Sequence, residues 1–113
     1  MKIKMVSLSN NEEFKSLIKG KRINNKYFTI FFKKLINKNT KFLNISFVTK
    51  RKLGNAVKRN RIKRRLRHIM RGAINKISLN LNYSYLIIAK KSIINAKFID
   101  IKETIINDYK KIK

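Results

Sequence analysis

The sequence contains no cysteine, proline or tryptophan, and only three glycines, one histidine and five acids. Without cysteine there is neither a disulfide framework nor a thiolate metal site, which suits a reducing compartment. With no proline, and glycine only at Gly20, Gly54 and Gly72, the chain has no Pro/Gly-rich linker to divide it and no Gly-rich loop to cradle phosphates. Its longest unbroken apolar run, Tyr85–Ala89, is far too short to span a bilayer. The opening MKIKMVSLSNNEEF lacks the apolar core of a signal peptide. The expectation is a cytoplasmic protein without membrane contact.

The scarcity of acids limits the chemistry. Unaided cleavage or joining of nucleic acid would call for a carboxylate cluster holding metal ions or for an acid/base pair. The five acids are Glu12 and Glu13 near the start, and Asp100, Glu103 and Asp108 near the end. Glu103 and Asp108, five residues apart, are poorly placed to share a helix face, and all five read as surface or capping residues. His68 has no orienting acid nearby in sequence. No catalytic residue and no protein-held metal are expected.

What the chain has in abundance is positive charge: thirty Lys and Arg give a net charge of +25, and no acid occurs between Glu13 and Asp100. A length of 113 residues with 43% hydrophobic content suits one domain, residues 1–113, with a single buried core. Such an imbalance points to a polyanionic partner, with nucleic acid the first candidate and an anionic membrane the second.

Along the chain, Ser9 or Asn10 followed by Glu12 and Glu13 forms a capping-box pattern for a first helix carrying Phe14, Leu17 and Ile18, with Gly20 as its stop. The β-branched and aromatic run Tyr27–Leu35, a turn at Asn37–Asn39 and a second run at Phe42–Thr49 predict a hairpin or part of a meander. A long basic helix is predicted from about Asn55 to Lys76, a strand over Ser84–Lys90, and a closing amphipathic helix through Phe98, Ile101, Ile105 and Tyr109. The class is α+β, with helices layered on a sheet.

The segment GNAVKRNRIKRRLRHIMR dominates the functional reading. Between Lys50 and Arg71 there are eleven Lys or Arg in 22 positions and no acid. Cations at i and i+4 repel, so the run disfavours the isolated fold unless a polyanion neutralises it. At 100° per residue from Lys58, the apolar Ile62, Leu66, Ile69 and Ala73 fall at about 20–80° and form the core stripe. Arg61, Arg64, Arg65 and Arg71 fall on the far side at about 220–340°, whereas Arg59, Lys63 and Arg67 lie beside the stripe at about 100–180°, where they could border a groove between helix and sheet. Arginine's planar fork of donors suits phosphate oxygens and stacking on bases. Phe14, Tyr27, Phe28, Phe31, Phe32 and Phe47 offer ring faces for single-stranded RNA, and alternation puts Tyr27, Thr29 and Phe31 on one strand face and Phe28, Ile30 and Phe32 on the other, one of which must be core.

The run RKLGNAVKRNRIKRRLR, Arg51 to Arg67, resembles the signature of the protein subunit of bacterial ribonuclease P, whose hallmark Arg-Asn-Arg element stands here as Arg59, Asn60 and Arg61. SLSNNEEFKSLIKG is similar to that family's first helix, NKYFTIFF to its first strand and SYLIIAKK to the strand after the basic helix, so the resemblance covers nearly the whole chain. It implies an α-β sandwich of three helices on a mostly antiparallel four-stranded sheet, like a ribosomal-protein domain, with a left-handed crossover that departs from the usual right-handed rule. It also implies a noncatalytic subunit that binds a large catalytic RNA and promotes endonucleolytic removal of the 5′ leader from precursor tRNA. The hydrolysis would be carried by the RNA and its Mg²⁺, with no protein partner required.

Residue by residue, the resemblance implies RNA contacts by Arg59, Asn60, Arg61, Lys63, Arg64, Arg65 and Arg67 and by the lead-in Lys50, Arg51 and Lys52; Asn55 and Arg71 of the same basic stretch complete the expected RNA-binding set. Phe14, Ile18, Phe31 and Val48 match the family's leader cleft. The helical wheel adds Arg59 and Arg67 to that cleft and turns Arg61, Arg64 and Arg65 toward the catalytic RNA. Ile18 and Phe31 stand where many relatives carry Phe and Tyr, and Val48 and Lys50 where small hydroxylated residues are common. Other readings remain open: a ribosomal or ribosome-assembly protein, which would leave tRNA leaders untouched; a duplex DNA-binding module, for which only Asn55 and Asn60 offer base-reading side chains; and a membrane-surface helix, which would lack interfacial Trp.

Overall fold

Alternation along the strands sorts apolar residues onto two sheet faces, and each face gathers its own helices. The computed structural model describes residues 3–8, 11–35, 38–74, 76 and 80–112. In chain order they form strand β1 (Met5–Val6), helix α1 (Asn11–Ile18), strands β2 (Lys21–Asn24), β3 (Phe28–Lys34) and β4 (Leu43–Val48), a 3-10 turn (Arg51–Leu53), helix α2 (Ala56–Ile74), strand β5 (Tyr83–Ala89), a second 3-10 turn (Lys91–Asn95) and helix α3 (Phe98–Lys110). The Ser9 or Asn10 cap and position 37 of the expected turn lie outside the described residues.

The sheet order is β1-β4-β5-β3-β2. β1 and β5 each run parallel to β4, while β3 runs antiparallel to both β2 and β5. This mixed five-stranded sheet replaces the mostly antiparallel four-stranded one expected. The expected hairpin between the two aromatic runs is also overturned, because β5 lies between β3 and β4. The hairpin that does form joins β2 to β3: Asn25 Oδ1 accepts from the backbone N–H of Tyr27 at 2.8 Å and Phe28 at 2.9 Å, turning β2 back onto β3. β2, with the sequence KRIN, is a charged edge strand of the kind that discourages further pairing. Parallel β4 and β5 then need a long crossover, which α2 supplies.

Phe28, Ile30 and Phe32 point to the face covered by α2 and α3, joining Leu43, Ile45, Tyr85 and Ile87 in the main core. Phe31 and Leu86 point the other way, to a smaller cluster with Leu8 and Leu17 beneath α1. The aromatic strand is therefore buried on both faces. α1 stops where expected: the Gly20 N–H donates to the Leu17 carbonyl at 2.9 Å, and a Cβ at Gly20 would meet Lys33 Cβ and the Phe32 carbonyl at 3.0 Å.

Asp108 departs from the surface role expected of the acids. It is buried and accepts from Asn25 Nδ2 at 2.6 Å, while Lys90 Nζ donates to the Asn25 carbonyl at 2.6 Å. This network fastens the β2–β3 turn to α3, and pairing keeps the buried charge tolerable. Burial pushes the phenols of Tyr85 and Tyr109 well above their usual range. No described helix is long and apolar enough to cross a membrane.

Candidate nucleic-acid interface

The basic helix is set up by the segment before it. Lys50, Arg51 and Lys52 are exposed, Leu53 buries its side chain, and Gly54 turns the chain at φ 133°. Asn55 then caps α2, its Oδ1 accepting from the Lys58 N–H at 3.0 Å. The first turn holds no acid, so the positive helix dipole adds to the charge of Lys58 and Arg59. Leu66, Ile69 and Ala73 are buried as predicted, joined by Met70 and Ile74, and Ile62 is half-buried.

With the stripe anchored, the cations take distinct positions. Arg61, Arg64, Arg67 and Arg71 are exposed, as is Asn60. Arg59 is half-buried, and its Nε has no hydrogen-bond partner among the described residues. Arg65 is half-buried, and its Nη2 donates to the Ala96 carbonyl at 2.9 Å, so this guanidinium holds the approach to α3 as well as carrying charge. His68 is exposed, with its ring centroid 5.8 Å from that of Phe98.

Lys63, Arg67 and Arg71, one helical turn apart, line a cleft of about 520 Å³ that passes the short β1 edge. Its other walls include Phe14 of α1 and Ser46 and Phe47 of β4, and no acid lines it. Ser46 Oγ accepts from the Leu8 N–H at 2.9 Å, stitching the segment after β1 to the cleft wall. The neighbouring Glu13 is ion-paired with Lys38. Cations and ring faces without competing carboxylates make a cleft suited to a single-stranded polyanion.

Of the six residues assigned to a leader cleft, Phe14 and Arg67 meet in this space. Phe31 is 7% exposed under α1 and Val48 packs against the same cluster, so both support the wall from behind. Ile18 is 52% exposed on α1, away from that lining, and Arg59 is not part of the lining either. Arg71 lies with Lys63 and Arg67 and not on the far side: at i+4 from Arg67 it continues the same ridge. Ser46 is a cleft residue that sequence reasoning missed, and Phe47, read there only as an available ring, was not placed in the cleft; a β1 strand beside β4 would have placed both, but two residues are too few to show a period. Among the described residues no three His, Cys, Asp or Glu lie together as a metal site.

A family model described as Ribonuclease P matches residues 3–113. The chain is 33% identical over 114 residues to the ribonuclease P protein component of Mycoplasma mycoides, covering 100% of both chains. It is 36% identical over 114 residues to that of Fusobacterium nucleatum, covering 96% of this chain and 98% of the relative. Among solved structures it resembles the RNase P protein from Thermotoga maritima with a TM-score of 0.78 at 27% identity, covering 96% of this chain and 98% of the other. It shares the fold of the Staphylococcus aureus RNase P protein with a TM-score of 0.75 at 22% identity, covering 94% and 93%.

Proposed function

Since the chain belongs to the ribonuclease P protein family and so to tRNA processing, we propose that it acts as an RNA-binding subunit that brings the catalytic RNA and the 5′ leader of precursor tRNA together. The observation that carries this reading is the acid-free cleft, where Lys63, Arg67 and Arg71 stand one turn apart opposite Phe14 and Phe47. A single strand could thread it with phosphates on the cations and bases against the rings. The outward cations Arg61 and Arg64, with Lys50, Arg51 and Lys52, are exposed for the catalytic RNA. Asn60 is exposed on the same surface and Arg59 is half-buried beside it, its Nε shut away from solvent and without a hydrogen-bond partner among the described residues. Asn55 acts through its cap, which sets the direction of α2.

In this reading the chain contributes affinity and screening, and Mg²⁺ on the RNA supplies the hydrolytic chemistry. Two of the protein's five carboxylates are already engaged, Glu13 with Lys38 and Asp108 with Asn25 and Lys111, which supports placing the metal on the RNA. The reading also carries the cytoplasmic location, the absence of an obligatory protein partner and the left-handed sense of the β4–α2–β5 crossover.

Cleavage of a 5′-extended precursor tRNA at low Mg²⁺, by the cognate catalytic RNA with and without this chain, tests the reading. Stimulation in the presence of the RNA and silence of the protein alone are expected. A folded, RNA-binding protein that gives no stimulation would turn the assignment toward ribosomal RNA.

A further inference from the structure

On the flank of α2 opposite the cleft, the helix meets the chain leading into α3 along a seam. Near the start of α2, Leu53, Ile62 and Ile94 line a small pocket of about 140 Å³, together with Lys58 and Arg61. One turn on, Arg65 closes the seam on the Ala96 carbonyl. Beyond it, His68 and Phe98 form a tilted ring pair. Ile94 and Phe98 nevertheless stay 41% and 39% exposed. Apolar and aromatic surface left open beside a cationic helix calls for a partner that is both anionic and flat-faced.

Unpaired nucleotides meet that description. A duplex turns its bases inward and offers mainly phosphate and sugar, whereas a splayed base offers a face to an aromatic ring or an apolar floor. The pocket is close in size to cavities of about 150 Å³ that hold a single benzene ring. Lys58, Arg61 and the exposed Arg64 supply the positive charge around it, and α2 carries no acid to oppose them.

We propose that the α2–α3 seam docks unpaired nucleotides of the catalytic RNA, one base against Ile94 in the pocket and another stacked on Phe98 beside His68, with phosphates on Lys58, Arg61 and Arg64. This rests on the function proposed above and extends it from the RNA backbone to its bases. The source is the catalytic RNA and not the leader because the two sites lie on different flanks: Lys63, Arg67 and Arg71 fall at about 140–220° on the wheel, whereas His68, Arg61, Arg65 and Lys58 fall at about 280–360°, with Arg64 at about 240° on the outward edge between them. A leader held in the cleft would have to cross the helix to reach the seam.

The test is equilibrium binding of the full chain to the catalytic RNA alone across a salt series, with Phe98→Ala, Phe98→Leu and Ile94→Ala compared with Arg64→Ala, folding being checked by circular dichroism. Loss of a stacked base should weaken binding roughly 5- to 100-fold with the salt slope unchanged. Arg64→Ala should instead lower the slope, because a phosphate contact is gone. Phe98→Tyr should bind like the unsubstituted chain. Ultraviolet crosslinking of the unsubstituted complex, with precursor present, should join the catalytic RNA to the peptide spanning Ile94–Ile99. Full affinity in folded Phe98→Ala and Ile94→Ala, or crosslinks from that peptide to the leader or to no RNA, would overturn the site while leaving the function standing. Failure of the unsubstituted chain to bind the catalytic RNA would overturn the function and the site with it.

Discussion

Gly54 sits at φ 133° and ψ −169°, a backbone region that L side chains almost never occupy. A Cβ there would also lie 2.9 Å from Lys58 Cδ, but that is a flexible side chain able to move aside, so conformation sets the cost. Gly54→Ala should lose about 1–3 kcal/mol of stability, visible as a lower urea midpoint at unchanged m. Adjacent arginines should likewise separate. Arg65 is tied to the Ala96 carbonyl, whereas Arg64 is exposed. Arg65→Ala should cost about 1 kcal/mol, and Arg64→Ala should stay within about 0.5 kcal/mol. Equal midpoints for the two variants would show that the Arg65 contact does not support the fold.

At the scale of elements, the function and the seam proposed above would give α2 two jobs on two flanks. If the cleft flank holds a single-stranded leader, Arg67→Ala should lower the salt slope of binding by about 0.7 for a precursor with a leader, and leave binding of leaderless tRNA unchanged. Arg64→Ala should lower the slope of catalytic-RNA binding by about 0.7, whether or not a leader is present. Isothermal titration across potassium chloride separates the two, and identical behaviour of both variants would mean that the flanks do not divide the RNAs. The buried stripe of α2 and its charged flanks were legible in the sequence because a long helix repeats its period enough times to fix both. The exception, Arg71, fell at the edge of the wheel's far sector, where one more turn along the ridge carries it into the cleft. The sheet was less legible. β3, β4 and β5 announced themselves through aromatic and branched runs, but β1 is two residues long and β2 reads KRIN. The first, Met-Val, is too short to show a period and the second is mostly polar, so a neighbour's hydrogen bonds decide both. Strand order was hidden for a related reason: β5 enters between β3 and β4 from more than thirty residues downstream, and no local pattern encodes that. Asp108 was misread because its partner, Asn25, is 83 residues away.

For the whole molecule, a net charge of +25 sits within extents of 35 × 30 × 22 Å. At an ionic strength of about 0.01 M the screening length is about 30 Å, so most charges in the molecule repel one another; at about 0.15 M it is about 8 Å, and only near neighbours do. Salt ordinarily weakens attractive ion pairs too, but the described residues offer few to weaken: Lys38 with Glu13, and Lys111 with Asp108. Repulsion therefore dominates the salt response of the free protein, and relieving even 1 kcal/mol of it in a domain of this size shifts the melting temperature by about 4–8 °C. The melting temperature of the protein alone should rise as sodium chloride goes from low to physiological concentration, and its RNA affinity should fall over the same range as counterion release loses its drive. Scanning fluorimetry and binding titrations in matched buffers read the two trends. A melting temperature that is flat or falling would mean that the fold has absorbed its charge by some other route, and the basic helix would no longer need a polyanion to explain its stability.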